Sequence, residues 1–363
     1  MRVLLLTTDA YGGHGGIAIY NRDLAEALAT LPQVDEVVIV QRTYGATQQP
    51  VPDKVRCLSH AAGNKLRFVR VAIACSLTRI DLLICGHVNL LPLAGLMRLR
   101  LRCPLVLLAY GIDVWTRPHP STRAWLRQVS AVWTISNVTR ERMNRWACLD
   151  ESTFIVLPNA IRLDRYGLGP KSTELLTRYS LHGRKVILTL ARLPSAERYK
   201  GVDEVIEALT VLRADDPTLT YLVAGDGSDR GRLEARARAR KLAGHVVFAG
   251  FVDEREKADH FRLADVFAMP GRGEGFGFVF LEALACGVPA VGSAIDGSRE
   301  ALRDGALGEL VDPRDPASVS DGIRRALRKP KGILPGLEYF GWAAFVARLR
   351  GALDLAFAQR IAS

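Results

Sequence analysis

Short apolar runs alternate with segments whose apolar positions recur every three to four residues, almost from one end of the chain to the other. The run RVLLLTT at residues 2–8 has the unbroken apolar character of a strand buried on both faces. GGIAIYNRDLAEALATL follows it with Ile, Leu and Ala at helical spacing. DEVVIV (35–40), IDLLIC (80–85), PLVLLAY (104–110) and AVWTIS (131–136) repeat the strand pattern, each followed by a helix-length segment. Such alternation predicts a parallel sheet with helices on both faces.

Around residues 158–184 the pattern loosens into prolines, glycines and clustered charge, which suits a linker. It then restarts. VILTLARL, TLTYLVAGDG, HVVFAGF, ADVFAMP and VPAVGS read as strands, and GVDEVIEALTVLR and SDRGRLEARARARKLA as helices. The two halves open alike, VLLLTT…DLAEAL beside VILTLA…DEVIEAL. The expected fold class is therefore α/β, with two doubly wound domains whose facing strand ends make a central cleft. The expected boundaries are 1–165, 166–336 and a last amphipathic helix in 337–363 that packs back toward the N-terminal domain. Tyr339, Phe340, Trp342 and Phe345 fall in the first turns of that predicted helix.

Composition narrows the class. A chain of 363 residues, 48% hydrophobic and 24% charged, is long for one core and ordinary for a soluble protein. The longest uncharged run, Leu82 to Met97, is short for a membrane span and is broken by His87, Asn89 and Pro92. The first residues do not read as a secretory signal. Six cysteines form no C-x-x-C pair and no metal-ligand spacing, which leads us to expect a reducing, cytoplasmic setting.

Charge adds a question. The formal net charge is +11, and residues 1–165 carry 20 Lys+Arg against 12 Asp+Glu, or +8. Nucleic acid, an anionic membrane surface and a phosphorylated substrate would each answer such a surplus, as would a merely solvated surface. No nucleic-acid readout motif accompanies the charge. Lys65, Arg67, Arg70 and Arg79, with Arg98, Arg100 and Arg102 soon after, lie among apolar residues and suit anionic lipid.

The stretch GRGEGFGFVFLEALACGVPAVGS, residues 271–293, concentrates candidate chemistry. Gly271, Gly273, Gly275 and Gly277 permit a tight turn, and a helical pattern starts near Phe278. A helix start presents unpaired N–H groups and partial positive charge, a ready site for phosphate. Glu274 lies ahead of that start and Glu282 about one turn inside it, so each carboxylate can accept from neighbouring hydroxyls. A diphosphate flanked by two hydroxylated groups describes a nucleotide sugar.

This block resembles the E-x7-E signature of retaining glycosyltransferases of the GT-B fold, family 4, and the resemblance extends along nearly the whole chain. GGIAIYNRDLAEAL, VLPNAI (with Ala160 where glycine is usual), ARLPSAERYKGVDEVIEAL, LVAGDGSDRGRLE, VVFAGFV and DGSREALRDGALGELVDP resemble successive family segments. The resemblance implies that Glu282 binds the ribose hydroxyls and Glu274 the donor sugar. Backbone groups at Gly275, Phe276, Gly277 and Phe278 would meet sugar and phosphate, and Arg192 and Lys200 would meet the diphosphate. Backbone near Gly225, Gly250, Phe251 and Val252 would hold the base.

In the N-terminal half, Gly13, His14, Gly15 and Gly16 would cradle a phosphate of donor or acceptor. Read alone, GHGGIA also fits a dinucleotide-binding fingerprint, but VIVQRT carries Arg42 where NAD would need an acid, so only NADP would suit. The family's H-G-x-D segment is LLAYGIDVW here, so Tyr110 replaces the histidine and Asp113 keeps the acid. A tyrosine hydroxyl is a poor base near neutral pH, since its reference pKa is about 10. His87 is a second candidate beside Tyr110, and His119 a weaker one. No D-x-D occurs, so neither a metal nor another cofactor is expected.

The expected partners are a nucleotide sugar, a saccharide or lipid-linked acceptor, and an anionic membrane surface reached through the N-terminal domain, with no nucleic acid. The expected location is the cytoplasm, at the inner face of the membrane. A sugar-nucleotide epimerase and a non-catalytic nucleotide-sugar-binding subunit are the rival readings.

Overall fold

A computed structural model describes residues 1–13, 15–43 and 50–358. The chain divides into two compact units, Met1–Ala160 with Trp342–Ser363, and Ile161–Gly341. Each is built on one parallel sheet.

The first unit contains β1 (Arg2–Thr7), β2 (Glu36–Gln41), β3 (Val55–Cys57), β4 (Leu82–Gly86), β5 (Leu105–Ala109), β6 (Ala131–Thr134) and β7 (Phe154–Val156). Their order across the sheet is β3-β2-β1-β4-β5-β6-β7, and every pairing is parallel. Leu4 lies between Val38 and Leu83, so the central strand is apolar on both faces. Leu4, Leu6, Leu83 and Leu107 form one buried cluster with Phe68 and Ala72 of helix Lys65–Cys75 and Ala94 and Met97 of helix Leu91–Leu101. Truncating one such leucine to alanine costs about 2–5 kcal/mol. Helix Trp342–Ala358 packs on helix Gly16–Thr30, with Phe345 edge-on to Tyr20 at 6.1 Å between ring centres.

The second unit contains β8 (Lys185–Leu190), β9 (Leu219–Ala224), β10 (Val246–Gly250), β11 (Val266–Ala268), β12 (Ala290–Ser293) and β13 (Glu309–Val311), again all parallel. The order is β10-β9-β8-β11-β12-β13. Ile187, Tyr221, Val223 and Val291 from the sheet bury against Val205 and Leu209 of helix Val202–Asp215 and Ile323 of helix Pro316–Leu327. On the outside, Arg232 of helix Arg230–Ala239 takes both oxygens of Asp203 at 2.6 and 2.8 Å and also pairs with Asp229. The chain leaves and re-enters this unit side by side, where the Ile161 N–H donates to the Phe340 carbonyl at 2.8 Å.

Two differences from the sequence pattern have simple causes. The edge strands β3, β7 and β13 have three residues each, too few to show a period. The last helix begins at Trp342, while Tyr339 and Phe340 belong to a separate turn, Leu337–Phe340, because Gly341 adopts extended backbone between them.

In both sheets the strand order reverses once, between β1 and β4 and between β8 and β11. Loops leaving adjacent strands at such a switch point diverge and leave a crevice at their carboxyl ends, where ligands of open α/β sheets bind. The chain after β8 carries Arg192 and Lys200, and the chain after β11 carries Gly271–Gly277.

Candidate functional site

The loop after β11 is shaped by its glycines and by the segment that follows β8. The Arg272 N–H donates to the Tyr199 carbonyl at 2.8 Å. At Gly201, with φ +88°, an added Cβ would lie 2.7 Å from the Pro270 backbone. At Gly273 it would meet the Tyr199 ring at 2.8 Å. This close approach puts Lys200 beside Glu274, with Nζ 2.8 Å from Oε2. Burial works against the ammonium, but the Glu274 carboxylate outweighs it and holds the Lys200 pKa above its ordinary value.

A second clasp holds the other side of Glu274. Its N–H donates to Asp296 Oδ2 at 3.0 Å, and its carbonyl accepts from the Gly297 N–H at 2.8 Å. A Cβ at Gly297 would stand 2.1 Å from the Gly275 carbonyl oxygen. Asp296 is buried and also accepts from the N–H and hydroxyl of Ser298. Burial raises its pKa to about 6 against the pull of those hydrogen bonds.

Past Glu274 the chain turns through Gly277, at φ +94°, into helix Phe278–Ala285, and no side chain caps the start. The Phe276 ring is buried edge-on to Phe340 at 5.5 Å, so this residue offers a ligand its backbone only. Glu282, one turn into the helix, is 3% exposed. Lys257 Nζ lies 2.6 Å from its Oε1, and the Tyr166 hydroxyl donates to the same oxygen at 2.8 Å. Oε2 is buried and has no hydrogen-bond partner. Burial opposes the charge on Lys257, yet Glu282 and Glu254 keep its pKa raised. A buried carboxylate oxygen without a donor is costly, by about 1–3 kcal/mol or more.

Other expected donor-side residues fall into two groups. Gly225 and Gly250 join β9 to β10 by a 2.7 Å backbone hydrogen bond. A Cβ at Gly225 would collide with the Ala191 carbonyl at 1.9 Å, so glycine here has a packing reason as well. Phe251 follows β10 with its ring largely in solvent, and Val252 is half-buried beside it. Arg192 does not join the Lys200–Glu274 pair: its exposed guanidinium pairs with Glu197 at 2.9 Å.

In the first unit, Tyr110 and Asp113 follow β5. The Tyr110 hydroxyl donates to Asn21 Oδ1 at 2.6 Å, inside the protein, and burial drives its pKa well above the usual 10. The Asp113 carboxylate accepts from the Tyr110 N–H at 3.1 Å, and desolvation lifts its pKa to about 7. His87 caps the short turn Val88–Leu90, its Nδ1 accepting from the Asn89 N–H at 3.1 Å. His119 does the same for Pro120–Arg123. In the glycine loop after β1, Arg22 donates to the Gly13 carbonyl at 2.9 Å. Gly15 precedes helix Gly16–Thr30, which no side chain caps. His14 lies outside the described residues.

Lys257, Tyr166 and Asp296 are the site residues that sequence reasoning missed. Lys257 and Tyr166 stand 25 and 116 positions from Glu282 and carry no local signal. Asp296 did carry one: D-G-S before an apolar helical pattern is a side chain–backbone turn of the kind these residues favour.

Comparison with known proteins bears on this geometry. Residues 14–165 match the glycosyltransferase family 4 domain, and residues 178–335 match glycosyl transferases group 1. The chain belongs to this glycosyltransferase family. Among its relatives is a GDP-mannose-dependent alpha-(1-6)-phosphatidylinositol monomannoside mannosyltransferase of Mycolicibacterium smegmatis. It is 33% identical over 239 residues, an alignment covering 62% of each chain. A D-inositol 3-phosphate glycosyltransferase of Geodermatophilus obscurus is 31% identical over 273 residues, 70% of this chain and 60% of its own. The chain thus spans about three fifths of the length of these relatives.

The chain also shares its fold with Anabaena HepE, solved with UDP and glucose, at TM-score 0.76 and 19% identity over 98% of this chain and 99% of that one. Sucrose-phosphate synthase of Thermosynechococcus elongatus superposes at TM-score 0.74 and 21% identity, covering 98% and 99%. The fold is GT-B, two parallel doubly wound sheets, as expected from the sequence.

Proposed function

We propose that this chain is a retaining glycosyltransferase that moves a hexosyl group from a nucleoside-diphosphate sugar to a polysaccharide or lipid-linked saccharide acceptor. The Ile161–Gly341 unit would bind the donor and the first unit the acceptor. The observation that carries the reading is the half-satisfied Glu282 carboxylate beside an uncapped helix start and the Lys200–Glu274 pair, at the switch point of the second sheet.

In this reading the Lys200–Glu274 pair stands in for the ligand. An arriving diphosphate competes for the Lys200 ammonium and for the N–H groups at the helix start, which frees Glu274 to accept from hydroxyls of the sugar. Glu282 Oε2 takes a ribose hydroxyl. The acceptor hydroxyl oxygen bonds to the anomeric carbon on the face that the phosphate leaves. The carbon–oxygen bond to the phosphate breaks, and the departing phosphate oxygen takes the acceptor's proton. Lys200 and the helix start stabilise the negative charge that develops on the leaving diphosphate. The reaction proceeds without a metal ion.

A relative named for a phosphatidylinositol monomannoside acceptor favours the lipid-linked arm. The six cysteines, all free thiols, suit a cytoplasmic location.

The test is a thermal-shift panel of UDP, GDP, ADP and their sugar conjugates, followed by product analysis with and without acceptor. A ligand that binds only the folded protein raises its stability. One nucleoside diphosphate should stabilise the chain, and the product should keep the donor's anomeric configuration. No response to any nucleotide would refute the reading.

A further inference from the structure

Between the end of β8 and the start of helix Val202–Asp215 the chain carries one acid, Glu197, among the cations Arg192, Arg198 and Lys200. Arg198 pairs with Asp229 at 3.2 Å. The backbone on either side of Arg192 is pinned, since the Ala191 N–H donates to the Ala224 carbonyl and the Leu193 N–H to the Asp226 carbonyl, both at 2.9 Å. The Arg192 side chain is held less firmly. It is 74% exposed and meets Glu197 through one nitrogen, Nη2, 2.9 Å from Oε1. Glu197 is the reverse. Its side chain is 15% exposed, and its Oε2 is buried with no hydrogen-bond partner among the described residues.

These charges converge on one ring. Lys200 Nζ lies 5.3 Å from the centre of the Tyr199 ring, against which Gly273 of the donor loop packs. Burial is the main force raising the Tyr199 pKa, and its phenol also feels Lys200, Glu197, Glu274 and Arg192. Arg192 therefore stands within electrostatic reach of the Lys200–Glu274 pair. Lys200, whose burial is outweighed chiefly by Glu274, feels Glu197 as well. One acid thus bears on both cations, bonded to Arg192 and acting at a distance on Lys200.

We propose that Glu197 is a positioning residue that acts through Arg192, holding the guanidinium while the site is empty and recapturing it after transfer, so that the nucleoside diphosphate product leaves. The inference rests on the donor reading above and adds to it a residue that weakens anion binding. The sign follows from the charges. A diphosphate entering the site draws Arg192 away from Glu197, because a guanidinium binds phosphate oxygens strongly. The exposed guanidinium loses little by moving, whereas the largely buried carboxylate loses a bonded cation, which is costly. The product, its terminal phosphate no longer joined to the sugar, carries more negative charge than the sugar nucleotide and grips Arg192 harder. Glu197 opposes that grip. An acid that merely aimed Arg192 at the phosphate would have the opposite effect and strengthen binding.

The test is calorimetric titration of the full chain with UDP, GDP and ADP, with their glucose conjugates, and with inorganic pyrophosphate. Glu197→Gln should tighten binding of the nucleoside diphosphate and of pyrophosphate about fivefold, the upper range for a partly exposed ion pair. The sugar conjugate should gain less. Arg192→Gln should weaken binding, and in that background Glu197→Gln should change it by about twofold at most, the remainder coming through Lys200. Denaturant melts would show that each variant folds. Unchanged or weaker binding by Glu197→Gln would overturn the proposal, and so would a fivefold gain that persists without Arg192. Either result leaves the donor reading standing, since nucleotide still binds. Failure of every variant and of the wild type to bind any nucleotide would overturn both.

Discussion

The Lys257 ammonium lies 2.6 Å from Oε1 of Glu282, with both side chains almost wholly inside the protein. The pair fixes the carboxylate on one side, with the help of Tyr166, and leaves Oε2 without a donor on the other. Glu282→Ala should therefore weaken nucleotide binding by about 1.5–3 kcal/mol, the value of a hydrogen bond to a charged group. Calorimetric titration with the nucleotide found in the panel measures this directly.

Lys257→Met leaves the buried Glu282 charge without its partner. Removing one member of a buried pair costs about 3–5 kcal/mol, so this variant should unfold at lower denaturant than Glu282→Gln. It should also lose preference for a ribonucleotide over its 2′-deoxy form, because the carboxylate is no longer aimed. Denaturant melts and paired titrations would check both effects. An unchanged ribose preference would mean that Lys257 serves stability only.

Glu274 and Lys200 answer a different measurement. Glu274→Ala removes a group assigned to the sugar, so kcat should fall far more than nucleotide affinity. Lys200→Ala should reduce both, since the diphosphate is present before and after transfer. Steady-state kinetics beside nucleoside diphosphate titration would separate them. The opposite order would show that the two glutamates have exchanged roles.

Asp113 gives the stability a pH dependence. Desolvation raises its folded-state pKa from 3.8 to about 7. The folded state thus keeps a proton that the unfolded chain releases above about pH 4. Its contribution to stability is full below that pH and is lost as pH rises through about 7. Asp113→Asn has no such proton. Between pH 5 and pH 8 the variant should gain on wild type by on the order of 2 kcal/mol. Denaturation at the two pH values tests this, and a constant difference would contradict it.

Gly297→Ala probes the clasp of the donor loop. With a Cβ 2.1 Å from the Gly275 carbonyl oxygen, the backbone must shift. The variant should lose about 1–3 kcal/mol, in the range of overpacking, and lose turnover with it. Melting and activity assays together would detect this; full activity at unchanged stability would show that the loop is not held there.

Much of this was legible in the chain. The long strands β1, β2, β4, β5, β8 and β9 are nearly continuous apolar runs, and Gly277–Phe278 marks a turn into a helix by glycine freedom followed by apolar period. Burial around Glu282 could also be anticipated, because the run from Phe276 to Cys286 has no other charge in it. What surrounds that charge could not. Lys257 and Tyr166 come from distant segments that only the fold brings together. Nor does the sequence show that Tyr110 spends its hydroxyl on Asn21, or that Arg192 pairs with Glu197, since each depends on which rotamer the packing leaves open.

The central claim is that a pyrophosphate settles at the start of helix Phe278–Ala285 with ribose on Glu282. A crystal structure of the chain with the nucleoside-diphosphate sugar it binds tests this most directly. The account predicts phosphate oxygens within hydrogen-bonding distance of Lys200 Nζ and the helix N–H groups, and a ribose hydroxyl on Glu282 Oε2. A nucleotide bound elsewhere, with Oε2 still lacking a donor and Lys200 still on Glu274, would contradict it.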